Sequence, residues 1–246
     1  MRIALMADVH GNLEALQACL AHAAAQRAER LVFLGDLVGY GADPEAVVEI
    51  VAGRVGKGAR AILGNHDEAI ARGGARMNAE AATAIAWTRN MLGAEARRFL
   101  AGLPLAIEED GRLYVHAEAS APHRWHYVRD GETARHSIAA TAAQATFCGH
   151  VHVPAIYGLS STDKLASLRP TPGVAVPLLR SRRWLVVLGA VGQPRDRNPA
   201  AAYATLDAVS GELTTHRVPY DVERAAAKIR AAGLPPRLAA RLLAGE

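Results

Sequence analysis

Short apolar runs alternate with helical stretches through the first half of the chain. The runs "RIALMA", "RLVFLG" and "ARAILG" have strand length and lead into Asp8, Asp36 and Asn65. Segments 12–28 and 44–53 between them have helical length and Ala/Leu/Glu/Gln composition, and Asp43-Pro44 reads as a helix start. Strands separated by helices predict a sheet covered on both faces, in which ligands sit at the carboxyl ends of the strands. All three polar residues fall there.

Farther along, residues 79–101 read as one Ala-rich helix interrupted at Gly93. "LPLAIEED" and "RLYVHA" flank the turn signal Asp110-Gly111, so the second strand of a hairpin delivers His116. Residues 132–144 read as helix, and "ATFCGH" as a strand delivering His150. "RRWLVVLGAVGQPRD" is a buried strand entering a Gly/Pro loop, and "AAYATLDAVSGELTTHRVPY" is a hairpin turning at Ser210-Gly211. Residues 221–244 form helix interrupted at Gly233, Pro235 and Pro236. This order predicts an α/β fold of two sheets packed face to face with helices outside. No repeat or linker divides the sequence, so residues 1–246 are expected to form a single domain.

Composition adds limits more than content. The net charge of +4 comes from arginines spread along the chain, so nucleic-acid binding is not indicated. Cys19 and Cys148 offer neither a disulfide framework nor a paired zinc motif and read as buried thiols in a reducing compartment. The N-terminal apolar run is too short for a signal-peptide core, and no run approaches the ~18 apolar residues needed to cross a bilayer. A cytoplasmic protein without a membrane partner is expected.

The polar residues at the strand ends carry the chemistry. Asp8, His10, Asp36, Asn65, His116, His150 and His152 are of the kinds that hold metal ions. Desolvated carboxylates and imidazoles need partners, and a pair of divalent ions is such a partner. On an extended strand Asp8 and His10 would point to one face and share an ion, and His150 and His152 would share one or reach neighbouring ions. Oxygen and imidazole ligands without thiolate suit Mn²⁺, Fe or Zn²⁺. Two such ions lower the pKa of a bridging water and clamp the attacking and leaving oxygens of an in-line displacement. Other histidines read blandly: His22, His136 and His216 as surface residues, while His123 and His126 belong either to an ordinary loop or to a cleft wall. Arg182-Arg183 reads as a solvated strand start.

The ordered set D-x-H (Asp8, His10), G-D (Gly35, Asp36), G-N-H-D (Gly64 to Asp67), His116 and G-H-x-H (Gly149 to His152) resembles the calcineurin-like metallophosphoesterase family. "GDLVGYGADP" and "VGQPRD" resemble its small prokaryotic branch related to diadenosine tetraphosphatase. The resemblance implies a four-layer α/β/β/α sandwich of two mixed sheets and hydrolysis of phosphate esters. It implies one ion on Asp8, His10, Asp36 and His152, and another on Asp36, Asn65, His116 and His150, with Asp36 bridging. Manganese is favoured for activity. By the same resemblance His66 is the proton donor to the leaving alkoxide, with Asp67 placed to orient or charge it. Tyr40 and Arg195 are candidates for the substrate phosphate, Arg because its planar fork matches phosphate oxygens.

Two departures from the family pattern bear on substrate. Gly39 stands where some relatives carry a second acid, and the arginine that follows G-N-H-E in protein phosphatases is absent, since Glu68 and Ala69 come next. Arg72 does not replace it by counting. The missing group favours a small phosphodiester or nucleotide over a phosphoprotein. Aryl phosphodiesters such as bis-p-nitrophenyl phosphate are the artificial substrates expected. The other readings are a nucleotide pyrophosphohydrolase of the diadenosine tetraphosphate type and a non-catalytic metal-binding scaffold. A scaffold would show eroded ligands.

Overall fold

Strand β1 (Arg2–Met6) serves two cores at once. Its side chains alternate, so Ile3, Leu5 and the following Ala7 join Tyr114, Phe147 and Val186, while Ala4 and Met6 join Leu16, Cys19 and Val47. The computed structural model describes residues 1–73 and 77–246, and its layers follow from that alternation.

In the first sheet β1 runs parallel to β2 (Arg30–Phe33), which runs parallel to β3 (Arg60–Ala61). On its other side β1 is antiparallel to β11 (Ala201–Asp207), followed by β12 (Glu212–Val218) and β9 (Ala175–Pro177). The second sheet has the order β4 (Ala106–Glu109), β5 (Arg112–Val115), β6 (Ala145–Cys148), β10 (Arg182–Val187), β7 (Ala155–Ser160) and β8 (Leu165–Leu168). Here β5, β6 and β10 run parallel. The inner faces enclose Ile3, Leu5, Tyr114, Phe147 and Leu206, and each such side chain contributes roughly 1.5–3 kcal/mol by leaving water.

Helices α1 (Leu13–Ala25), α2 (Pro44–Val55), α3 (Asn65–Ala71) and α5 (Ala94–Ala101) cover the outer face of the first sheet. Helix α6 (Gly131–Ala139) covers the second through Ala134 and Ile138 against Leu185 and Val187. The expected α/β/β/α sandwich is therefore present. Helices α4 (Ala79–Met91), α7 (Val222–Ala231) and α8 (Pro236–Ala244) form a further apolar cluster that includes Tyr40. No helix among the described residues is long and apolar enough to cross a membrane.

The 79–101 stretch breaks at Gly93 as read: Leu92 is extended (ψ 128°) and buried, and the Gly93 amide donates to Glu45 Oε2 at 3.0 Å. Two other helices differ from the reading of the sequence. Residues 132–144 give a helix that stops at Ala139, where the Thr141 hydroxyl takes the Ala143 amide into a local turn. The Asp43 side chain makes no cap bond to α2 but accepts from Lys228 Nζ at 2.9 Å, which ties the tail to the first sheet's helices. Arg182 and Arg183 are not merely solvated, since their guanidinium groups donate to the carbonyls of Gly158 and Thr141.

His22 and His216 also depart from expectation. His22 Nδ1 lies 2.6 Å from the Tyr203 hydroxyl, His216 stacks on the Tyr203 ring at 4.8 Å, and Thr205 Oγ1 lies 2.9 Å from His216 Nε2. These contacts span α1, β11 and β12, so no local pattern reveals them. His136 remains a surface residue, 3.4 Å from Glu118. Partial burial, then the nearby His22 and Arg2, push the His216 pKa down to about 4. The unfolded chain, with an ordinary pKa near 6.5, binds the proton first, so stability is complete above about pH 6.5 and falls as pH drops toward about 4. Urea midpoints measured over that range should fall for the native chain and fall less steeply for His216→Gln.

Candidate metal centre

The site forms where the parallel strands of both sheets end. Asp8 follows β1, Asp36 follows β2, His116 follows β5 and His150 follows β6, and Ala7 bridges Ala190 where the two sheets meet. Asn65 opens α3 just beyond β3. The extended geometry expected for the paired motifs is not what the chain adopts. Asp8 (φ 57°), His10 (51°), Asp36 (51°), His150 (68°) and His152 (63°) all lie in the left-handed region. Such backbone costs a non-glycine residue roughly 1–2 kcal/mol and persists only where the surroundings fix it. Here rungs fix it: the amides of Asp8, His10 and Gly11 donate to Gly35, Asp36 and Leu37, and Gly192 donates to Asp8. The loops pack so closely that a Cβ on Gly64 would stand 2.1 Å from the Asp36 amide nitrogen.

Six of the seven candidate ligands converge in buried groups of three: Asp8, His10 and His152; His10 and Asp36 with His66; and Asp36, His116 and His150. Asn65 joins through its Oδ1, 3.2 Å from His116 Nε2. The orientation of the rings is set from behind. Nδ1 of His10, His116 and His152 lies 3.2, 2.7 and 2.6 Å from the carbonyls of Val38, Leu34 and Gln193. A carbonyl only accepts, so each Nδ1 carries a hydrogen and Nε2 is the nitrogen turned inward. His150 is reversed. Its Nε2 is 3.0 Å from the Trp125 carbonyl, which leaves Nδ1 as the inward nitrogen.

Acceptors therefore face acceptors. His10 Nε2 and His152 Nε2 are 3.2 Å apart, and His152 Nε2 is 3.2 Å from Asp8 Oδ1. His116 Nε2 lies 3.3 Å from Asp36 Oδ2. Asp8 and Asp36 are 0% and 1% exposed. Only protons or cations reconcile such contacts. Protons answer these contacts only in part. Burial lowers the affinity of His10 for one, and pushes His150 down to about 3. At His116 burial acts the same way, but the Asp36 carboxylate outweighs it and the pKa rises to about 9. Burial raises the acidic groups too, yet His152 beside Asp8 and His116 beside Asp36 leave both carboxyls well below the usual range. The donor set fits divalent ions with mixed oxygen and imidazole ligation.

His66 sits beside this cluster, with Nε2 4.0 Å from Asp36 Oδ2 and a buried Nδ1 that has no hydrogen-bond partner among the described residues. Burial pushes its pKa down to about 4. Tyr40 packs on it at 4.5 Å, and the Arg195 guanidinium lies 5.9 Å from the Tyr40 ring centre. The structure thus brings Tyr40 and Arg195 to the site. Asp67 does not orient His66 as expected. Its carboxylate accepts from the amides of Leu37 (2.9 Å), Val38 (3.3 Å) and Gly64 (3.0 Å), so it fastens the turn after Asp36 to the start of α3. Burial, then the Asp36 charge, push its pKa up to about 8.

Several participants escaped sequence reasoning. Gln193 supplies the carbonyl behind His152, and Trp125 the one behind His150. Tyr127 stacks on His150 at 4.0 Å with its ring tilted by 11°. Backbone carbonyls carry no sequence signature, and an aromatic in a loop acquires meaning only from what lies beneath it. His123 and His126, between which Trp125 stands, are exposed.

Comparison with known proteins matches this picture. Residues 1–211 match the model of the calcineurin-like phosphoesterase superfamily domain. The chain is 31% identical over 250 residues to an uncharacterized protein of Methanocaldococcus jannaschii, covering 99% of this chain and 98% of the other. A crystal structure of a metallophosphoesterase from Sphaerobacter thermophilus superposes with a TM-score of 0.88 at 34% identity, over 100% of this chain and 99% of that one. A hypothetical protein from Pyrococcus horikoshii has a TM-score of 0.80 at 20% identity, over 100% and 98%, and shares the fold.

Gly39 (φ 89°) leaves the room that His66 occupies, since a Cβ there would stand 2.4 Å from His66 Nδ1. Gly39→Ala is expected to displace one or the other and to lower stability by about 2–4 kcal/mol in chemical denaturation, combining overpacking with the backbone cost. An unchanged midpoint would show that the turn relaxes freely.

Proposed function

The chain belongs to the calcineurin-like phosphoesterase superfamily, and we propose that it is a phosphoesterase dependent on two divalent transition metal ions, hydrolysing phosphodiesters. The observation that carries this reading is the set of facing acceptors, Nε2 of His10 against Nε2 of His152 and against Asp8 and Asp36, which a pair of cations satisfies. Asp8, His10, Asp36 and His152 would hold one ion and Asp36, Asn65, His116 and His150 the other, with Asp36 between them. Manganese is our choice for the active metal. A bound pair supplies the charge that lowers the pKa of a water nucleophile and offsets the charge on the phosphate oxygens.

The chain's own groups do the rest. In this reading His66 protonates the leaving oxygen, and its unpartnered buried Nδ1 and its place against Tyr40 support that role. Tyr40 and Arg195 contact the phosphate, Arg195 with a guanidinium that Gln193 Oε1 holds at 3.0 Å. Asp67 acts only by holding the turn that carries Leu37 and Val38. Glu68, where protein phosphatases of the family carry arginine, gives its carboxylate to Trp125, which supports a small ester rather than a phosphoprotein. A non-catalytic scaffold would have lost ligands, and all seven are present.

After reconstitution with Mn²⁺, bis-p-nitrophenyl phosphate should be cleaved faster than p-nitrophenyl phosphate or a dinucleoside polyphosphate. His66→Ala should keep its metal and lose about 10²–10⁴-fold in kcat. Asp36→Ala should lose metal and activity together. Absence of metal-dependent cleavage of every ester would sink the reading, and full activity of His66→Ala would remove the proton donor.

A further inference from the structure

We infer that Glu68 and Trp125 form a positioning device for His150 and so for one of the two metal positions, an inference that rests on the reading above. The elements come from three places in the chain. Glu68 lies on α3, one turn past Asn65, and its Oε2 accepts the Trp125 indole N–H at 2.9 Å. Trp125 ends a short 3-10 turn, Pro122–Arg124, and is left-handed at φ 56° and ψ 36°. That backbone aims its carbonyl at His150 Nε2, 3.0 Å away.

The consequence is chemical. His10, His116 and His152 present Nε2 because carbonyls hold their Nδ1 hydrogens. His150 alone must present Nδ1, and it does so because the Trp125 carbonyl holds the hydrogen on Nε2. Tyr127 lies flat on the same ring at 4.0 Å and fixes its plane, with the Arg129 guanidinium 4.0 Å from the Tyr127 ring centre. The amide of Glu118 donates to the His126 carbonyl at 3.1 Å and closes the loop between Trp125 and Tyr127. Without the Glu68 tether the left-handed Trp125 keeps fewer restraints, and relaxation would rotate its carbonyl away from the imidazole. Glu68 thus links the helix that starts with one ligand of the proposed second ion to the loop that orients another.

Outer groups behind a metal-bound histidine change affinity by about 10–100-fold when removed. The test is Mn²⁺ titration of the full chain by isothermal calorimetry, with bound metal counted after dialysis. Wild type should bind two ions per chain. Glu68→Ala and Trp125→Phe, which removes the N–H and keeps most of the ring, should each weaken one ion by about 10-fold or more and leave the other unchanged. Glu68→Gln, whose amide oxygen still accepts, should bind both ions like wild type. Arg72→Ala controls for the i,i+4 contact of Arg72 with Glu68 at 3.7 Å and should leave both ions unchanged. Melting curves identify any variant that is simply unfolded, and Trp125→Phe then stands in for Glu68→Ala. Two wild-type affinities in both Glu68→Ala and Trp125→Phe, or equal weakening in Glu68→Gln, would overturn the inference. A wild-type chain that binds fewer than two ions would instead overturn the metal reading beneath it.

Discussion

Two buried carboxylates surrounded by imidazole lone pairs are the constraint on which this structure turns. Asp8 and Asp36 have almost no contact with water, and the nitrogens facing them have their hydrogens on the opposite side, bonded to backbone carbonyls. In a chain left to its own polar groups a proton on His116 relieves its contact with Asp36, but the facing nitrogens of His10 and His152 stay opposed, and desolvation makes that repulsion stronger. The fold nevertheless holds it with left-handed turns at five of the participating residues, stitched by amide rungs between the loops after β1 and β2. So much local cost gathered at one end of two sheets marks a place shaped for binding, with groups that could hold metal, rather than for stability.

The sandwich explains why that place lies where it does. Parallel strands β1, β2 and β3 in one sheet and β5, β6 and β10 in the other all deliver their carboxyl ends to the same region. Alternation along each strand spends one set of side chains between the sheets and the other beneath the helices, so only the strand ends are free to carry polar chemistry. Asp67 shows how an acidic side chain can be structural in such surroundings. It lies one residue past His66, yet all of its bonds go to amides.

What could be read from the sequence was what is local. The strand runs ending at Asp8, Asp36 and His116, the hairpins at Asp110-Gly111 and Ser210-Gly211, and the broken tail helix each depend on a few neighbouring residues, and each is present. The convergence of the ligands was legible because five short motifs in fixed order resembled a known family. The turn geometry was not, since nothing in "ADVHGN" announces left-handed aspartate and histidine. Nor were the pairings of Glu68 with Trp125 or of His22 with Tyr203, which join residues 57 and 181 positions apart. The helix end at Ala139 was missed because a threonine hydroxyl outbids helical propensity.

Strand β1 is threaded between β2 and β11, and Tyr40 is roofed by α7 and α8, which lie beyond the residues matched by the family model. The cluster at the strand ends draws on residues 8 to 152, but the sheet that supports Asp8 closes only with 201–207. During synthesis β1 must therefore wait, half-paired and with its edge open, for a strand made about 200 residues later. Such long-range closure makes folding slow and leaves an exposed β edge in the interim.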